Sequence, residues 1–228
     1  MKNLLFLHGA LGDAAQFSSL KMELENSFPI YAINFPGHGG EPFGTNFSIN
    51  GFALETLRFL DENGMAQVDI FGYSMGGYVA LQLARIAPER VGSIMALATK
   101  FAWSPESAAR ESKMLDPEKI MAKVPAFAQS LAGRHAPNDW KVLLQKTADL
   151  MLELGKRKLL DEKALAEIRQ PVLVCRGELD QMVSQEESEW AAAALPKGQL
   201  HIFPETPHPF EKVATEKMAE TIRRFFWQ

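Results

Sequence analysis

The segment Gly72-Tyr73-Ser74-Met75-Gly76-Gly77 sets a serine between glycines two positions away on either side. It follows the apolar run Val68-Asp69-Ile70-Phe71 and leads at once into a helical pattern of Tyr78, Val79, Leu81, Leu83 and Ala84. A G-x-S-x-G pattern between strand and helix marks a sharp turn that projects a serine hydroxyl at the end of a sheet. The positions two before and two after the serine leave no room for bulky side chains. The helix that starts there aims free N–H groups and its positive dipole end at the hydroxyl. The chemistry implied is nucleophilic attack on a carbonyl, and it needs a base, an acid to orient the base, and donors for the oxyanion.

Five histidines compete for the base. His208, in Glu205-Thr206-Pro207-His208-Pro209, follows the last strand-like run, on the edge where open parallel sheets build their sites. His8 precedes a loop of small residues and reads as a group behind the site. His38 lies in the turn Pro36-Gly37-His38-Gly39-Gly40, with a possible place in the site's lining. His135 falls in a helical region and reads as surface. His201 sits within a strand, where the sheet fixes its side chain. The acid is expected past another strand: Asp180 leads in Arg176-Gly177-Glu178-Leu179-Asp180, with Glu178 second. The chain order Ser74, Asp180, His208 is one of the three orders known for this constellation. For the oxyanion, the donors expected are the Met75 N–H and an N–H from His8-Gly9-Ala10-Leu11-Gly12. Ala10 is assigned there, with Leu11 as the alternative.

Six short apolar runs can position these groups: Leu4 to Leu7, Ile30 to Phe35, Val68 to Phe71, Ile94 to Ala98, Pro171 to Cys175 and Leu200 to Phe203. Each ends at Gly, Pro or a polar cluster, as buried parallel strands do. Helix signals lie between them. Ser48 is a candidate cap with Asn63-Gly64 as the stop, and Ser184 with Glu187 forms a candidate capping box. Val213, Met218, Ile222 and Phe225 make an apolar stripe near the end of the chain. From Thr99 to Gln170 there is no strand-like run. Ser104-Pro105, Asp116-Pro117 and Asn138-Asp139 instead start helices. The expected organisation is a core of residues 1–99 and 170–228, with a helical cap of residues 100–169 inserted after the fourth strand.

Composition fits one soluble domain. Of 228 residues, 46% are apolar and 23% charged, with a net charge of −4. Scattered basic residues argue against a nucleic-acid partner. The single cysteine excludes an internal disulfide framework and a cysteine-rich metal site. No apolar run approaches the roughly 18 residues of a membrane span. The opening apolar stretch is shorter than the roughly 7–15 residues of a secretion signal. No membrane partner and a cytoplasmic location are therefore expected. No dinucleotide fingerprint or metal-ligand spacing is present, so no cofactor is expected. Oligomeric state is left open.

Together these motifs resemble those of the α/β-hydrolase superfamily: His8-Gly9 after the first strand, Pro36-Gly37-His38-Gly39 after the second, the Ser74 turn, Gly177-Glu178-Leu179-Asp180, and His208 with Glu211 shortly after. The resemblance covers nearly the whole chain. It implies an α/β-hydrolase fold with a mostly parallel sheet of about six strands flanked by helices, and a site between sheet and cap. The family's usual two opening strands have no counterpart here, which leaves a sheet edge to be covered or paired. Asn34 stands where the family often has Asp, and Pro207 where Gly is usual.

The expected activity is a serine hydrolase that cleaves an ester or thioester of a small, largely apolar substrate through an acyl-enzyme. The alternative is a lyase or C–C bond hydrolase of the menaquinone-pathway or ring-fission type, using the same triad as a base. A non-catalytic ligand sensor is the third reading. His8, Leu11, Trp103, Phe127 and Trp140 are expected around the substrate pocket. Phe101, Met114, Met121 and Met151 are also available to line it. Arg110, Arg134 and Arg157 are the places open to a substrate carboxylate, but each reads first as a solvated helix residue.

Overall fold

The computed structural model describes residues 3–27 and 29–227. Six parallel strands form one sheet in the order β2-β1-β3-β4-β5-β6. They are β1 (Asn3–Leu7), β2 (Ile30–Ile33), β3 (Val68–Tyr73), β4 (Val91–Leu97), β5 (Val172–Gly177) and β6 (Gly198–Phe203). All six expected runs are strands, with shifted ends. β2 stops before Asn34 because that side chain turns the backbone: its Oδ1 accepts from the Ala14 N–H at 2.7 Å and its Nδ2 donates to the Gly39 carbonyl at 3.3 Å.

Alternation along the strands feeds two faces. Leu5, Leu7, Ile70, Ile94, Val172 and Val174 pack under α2 (Ile49–Glu62), α3 (Met75–Ile86) and α9 (Gln185–Ala194). Leu4, Phe6, Phe71, Met95, Leu97, Leu173 and Cys175 point the other way, against α1 (Ser18–Leu24) and α10 (Thr215–Phe226). That two-residue period, with a covered face on either side, is why the runs read as mostly apolar. α10 supplies Met218, Ile222 and Phe225 to the second face, as its stripe predicts. Each such side chain contributes roughly 1.5–3 kcal/mol by leaving water. Cys175 is 1% exposed here, and burial pushes its thiol well above the usual range.

The caps behave as expected. Ser48 accepts from the Gly51 N–H at 3.0 Å, and Ser184 and Glu187 form a reciprocal capping box on α9. Five helices lie between β4 and β5: α4 (Pro105–Ser112), α5 (Pro117–Lys123), α6 (Pro125–His135), α7 (Trp140–Lys156) and α8 (Glu162–Ala166). Ser104, Asp116 and Asp139 cap α4, α5 and α7. Ile120, Ala128, Leu131 and Leu144 form a small cluster inside this segment. Leu150 and Leu154 of α7 instead join the first face of the main core, beside Met75 and Tyr78. Among the described residues, no helix is long and apolar enough to cross a membrane.

The strand order reverses between β1 and β3, since β1 is followed in sequence by β2 on one side and in space by β3 on the other. Crevices outside the carboxyl ends at such a switch point are where open α/β sheets bind ligands. Ala10 follows β1 and Ser74 follows β3, so both stand at that crevice.

Candidate active site

Ser74 sits at φ +52°, a strained backbone for a residue with a side chain. Four hydrogen bonds hold it. Its N–H donates to the Leu97 carbonyl at 2.7 Å, and its carbonyl accepts from the Gly77 N–H and the Thr99 hydroxyl, each at 3.1 Å, and from the Tyr78 N–H at 3.3 Å. Space enforces the flanking glycines. A Cβ on Gly76 would lie 2.0 Å from the Leu7 carbonyl oxygen, and one on Gly72 would lie 2.5 Å from the Gly77 nitrogen.

One cavity, with an empty volume of about 540 Å³ opening to solvent, is lined by Ser74, His208, Ala10 and Met75 together. Among the described residues, neither the Ala10 nor the Met75 amide donates to a turn, loop or cap acceptor. Trp103 and Met151 line the cavity as well, with Ile49, Tyr78, Leu150, Leu154 and Met182 completing largely apolar walls.

His208 Nδ1–H donates to Asp180 Oδ2 at 2.8 Å, which turns Nε2 into the acceptor nitrogen. No hydrogen bond joins Ser74 Oγ to the ring among the described residues; such contacts are often loose before substrate binds. Asp180 Oδ1 accepts from the Met182 and Val183 amides at 2.8 and 3.0 Å. Burial works to raise the Asp180 carboxyl. The His208 hydrogen bond and charge, with the two amides, outweigh it and hold the group below its ordinary value. Glu178, the second candidate acid, is exposed and accepts from the Glu205 amide instead. Tyr73, not singled out from sequence, donates its hydroxyl to the His208 carbonyl at 3.1 Å.

Several expected pocket residues lie elsewhere. His8 is fully buried behind the site, donating through Nδ1 to the Gly9 carbonyl at 2.8 Å and accepting at Nε2 from the Phe35 N–H at 3.0 Å. Burial, opposed by the Gly9 bond, lowers its pKa to about 4. Leu11 and Trp140 pack on the cluster formed by α5, α6 and α7, and Phe127 is exposed. Of the other candidates, Phe101 is fully buried in the first core face, Met114 is exposed and Met121 packs on the α5–α7 cluster.

His38 is buried too, its ring 4.9 Å from His8 and 5.7 Å from His135. His135, expected at the surface, is buried because it bridges two loops. Its Nδ1 accepts from the Gly39 N–H at 3.0 Å and its Nε2 donates to the Leu11 carbonyl at 3.1 Å.

None of the three arginines lines the cavity. Arg134 donates to the Leu11 carbonyl at 2.8 Å, and Arg110 is mostly exposed on Glu111. Arg157 lies by a separate groove. The cation that does line the cavity is Lys100, beside Glu111; sequence reasoning passed over both, although a charged residue just past a strand's carboxyl end was the available signal. It also took Glu187 only as a cap, whereas its Oε1 accepts from the Phe101 and Ala102 amides at 2.7 and 3.0 Å.

Comparison with known proteins adds the lineage. The chain is 34% identical over 94 residues to the pimeloyl-[acyl-carrier protein] methyl ester esterase of Neisseria meningitidis, which is 41% of this chain and only 35% of that relative. The protein of the same name from Aromatoleum aromaticum is 27% identical over 235 residues, 91% of this chain and 92% of the relative. A solved structure of a thermophilic esterase from Thermogutta terrifontis shares the fold, with a TM-score of 0.79 over all of this chain and 90% of that one, at 20% identity. The sequence profile of the alpha/beta hydrolase family matches residues 4–222. With that profile spanning every strand of the sheet and the turn that carries Ser74, the chain belongs to the alpha/beta hydrolase family.

Proposed function

We propose that the protein hydrolyses carboxylic esters or thioesters through an acyl-enzyme on Ser74. In this reading His208 Nε2 takes the hydroxyl proton as Oγ attacks the carbonyl carbon. The Ala10 and Met75 amides receive the oxyanion; one such donor is worth about 3 kcal/mol of barrier. The leaving alcohol or thiol departs with the proton from His208. Water then attacks the acyl carbon, again with His208 as base, and frees the acid and Ser74. Asp180 keeps the ring in the Nδ1–H tautomer and stabilises the imidazolium. The helices from α4 to α7 act as the lid over the cavity.

The observation that carries this reading is the convergence of Ser74, His208, Ala10 and Met75 on one cavity, with His208 held by Asp180 at 2.8 Å. The names of the esterase relatives agree with it. The lyase alternative calls for several arginines around a polyacidic substrate, and the cavity lining contains one cation, Lys100.

A fluorophosphonate probe tests the reading. Mass spectrometry is expected to find the label on Ser74, and Ser74→Ala is expected to lose both the label and turnover of short-chain p-nitrophenyl esters. Undiminished turnover in that variant overturns the assignment.

A further inference from the structure

The cavity beside Ser74 holds a charged pair within its apolar walls. Lys100 follows β4 and Glu111 lies on α4, with side chains 11% and 4% exposed. Their charged ends are 3.9 Å apart, an ion pair beyond hydrogen-bond reach. Two hydroxyls on the walls already have partners. The Thr147 hydroxyl donates to the Leu143 carbonyl at 2.8 Å, and the Tyr78 hydroxyl accepts from the Leu160 N–H at 3.0 Å.

Lys100 is different. An ammonium carries three donors. One goes to the Met182 carbonyl at 2.9 Å. Glu111 Oε1, the nearest carboxylate oxygen, is engaged by the Arg110 guanidinium at 3.1 Å. The Trp103 ring lies 5.8 Å from the ammonium and supplies no lone pair. The ammonium lines the cavity, so an acceptor on a bound molecule can reach the donors that Met182 does not take.

We propose that Lys100 determines specificity by receiving a second oxygen acceptor of the substrate, so that the preferred substrate is an ester with a further keto, ether, ester or carboxylate oxygen a few bonds from the scissile carbonyl. This rests on the serine-hydrolase reading and narrows its substrate class. A wholly apolar substrate offers those donors nothing.

Matched esters test it. Methyl pentanoate against methyl 4-oxopentanoate places the acceptor on the acyl side. Butyl acetate against 2-methoxyethyl acetate places it on the alcohol side, and monomethyl glutarate presents it as an anion. The wild-type protein is expected to favour the acceptor-bearing member of at least one pair by about tenfold in kcat/KM, as a hydrogen bond to a charged donor provides. Lys100→Met and Lys100→Gln are each measured as the same ratio, with the plain ester as internal reference. The ratio is expected to collapse toward one in Lys100→Met and to survive in part in Lys100→Gln, which keeps a donor.

A role confined to tethering Met182 lowers both members of a pair together and leaves the ratio unmoved, and that result overturns the proposal. So does a wild-type protein without preference, whether or not the variants fold. If the wild type labels with fluorophosphonate and cleaves plain esters without preference, only the Lys100 assignment fails. If it neither labels nor cleaves, both readings fail.

Discussion

The two loop systems on either side of Ser74 are fastened by opposite kinds of group. On the Asp180 side the fasteners are ionised. Asp180 Oδ1 gathers the Met182 and Val183 amides, the Arg176 guanidinium donates to the Asp180 and Val183 carbonyls at 3.0 and 3.2 Å, and Glu187 ties the segment after β4 to the start of α9. On the Ala10 side two neutral imidazoles do the corresponding work, with Arg134 the one ion among them. His8 secures the Gly9 carbonyl and His135 the Leu11 carbonyl, one on each side of Ala10. A neutral imidazole donates with one nitrogen and accepts with the other, so a single ring joins two backbone segments without a buried charge. The ionised ties are the stronger per bond. The neutral ones lose their accepting nitrogen on protonation.

Predictions that strain one side at a time sharpen this contrast. The largest effect is expected from Asp180→Asn, which keeps the shape but removes the acceptor that selects the His208 tautomer. Turnover of a p-nitrophenyl ester is expected to fall about 10⁴-fold, with fluorophosphonate labelling slowed in parallel. A loss under tenfold places the orienting role elsewhere.

Acid separates the two sides next. His8 has its folded pKa lowered to about 4 from an ordinary 6.5. The stability its neutral ring contributes is therefore present above about pH 6.5 and is lost as the pH falls toward 4, on the order of 3 kcal/mol across that window. Asp180 is also lowered, but from 3.8, so its contribution is intact above that value and is lost only as the pH falls further. Denaturant midpoints measured from pH 7 to 3 are expected to drop in the upper window first, and His8→Phe to lessen that drop, with His38 and His135, also lowered by burial, sustaining the rest. A midpoint constant down to pH 4 refutes the neutral-imidazole account.

The smallest effect is expected from Arg134→Ala. It leaves the Leu11 carbonyl to His135 alone and loosens the segment that presents the Ala10 amide. A kcat about tenfold lower with KM little changed is expected, since small misplacements at a reacting centre are costly. Arg134→Lys is expected to recover part of the loss. A change confined to KM separates this residue from the role proposed for the Ala10 loop.

Much of this molecule is legible in its sequence. The strands could be read because the sheet is covered on both faces, so their residues are mostly apolar, with Asp69 and His201 as exceptions. The Ser74 turn could be read because its glycines answer a local steric demand, visible wherever Gly72 and Gly76 stand two positions from a serine. Asp180 and His208, which the structure joins at 2.8 Å, could be paired in advance because each lies a few residues past a strand. What sequence could not supply was the partner of any side chain that reaches across the fold. Arg134 and His135 look like helix surface until α6 delivers them to a carbonyl more than a hundred residues earlier in the chain. Phe127 and Trp103 are equally apolar, yet one is exposed and the other lines the cavity, a distinction set by helix packing and not by residue type.

Cys175 carries a last consequence. The thiol lies on β5, with β4 on one side and β6 on the other, and it is the chain's one cysteine. A thiol reagent added to the native protein meets no reactive sulfur until that part of the sheet comes apart. The wild-type chain thus contains its own clock for opening: the rate of modification at Cys175, followed against denaturant, separates fraying of surface helices from rupture of the core.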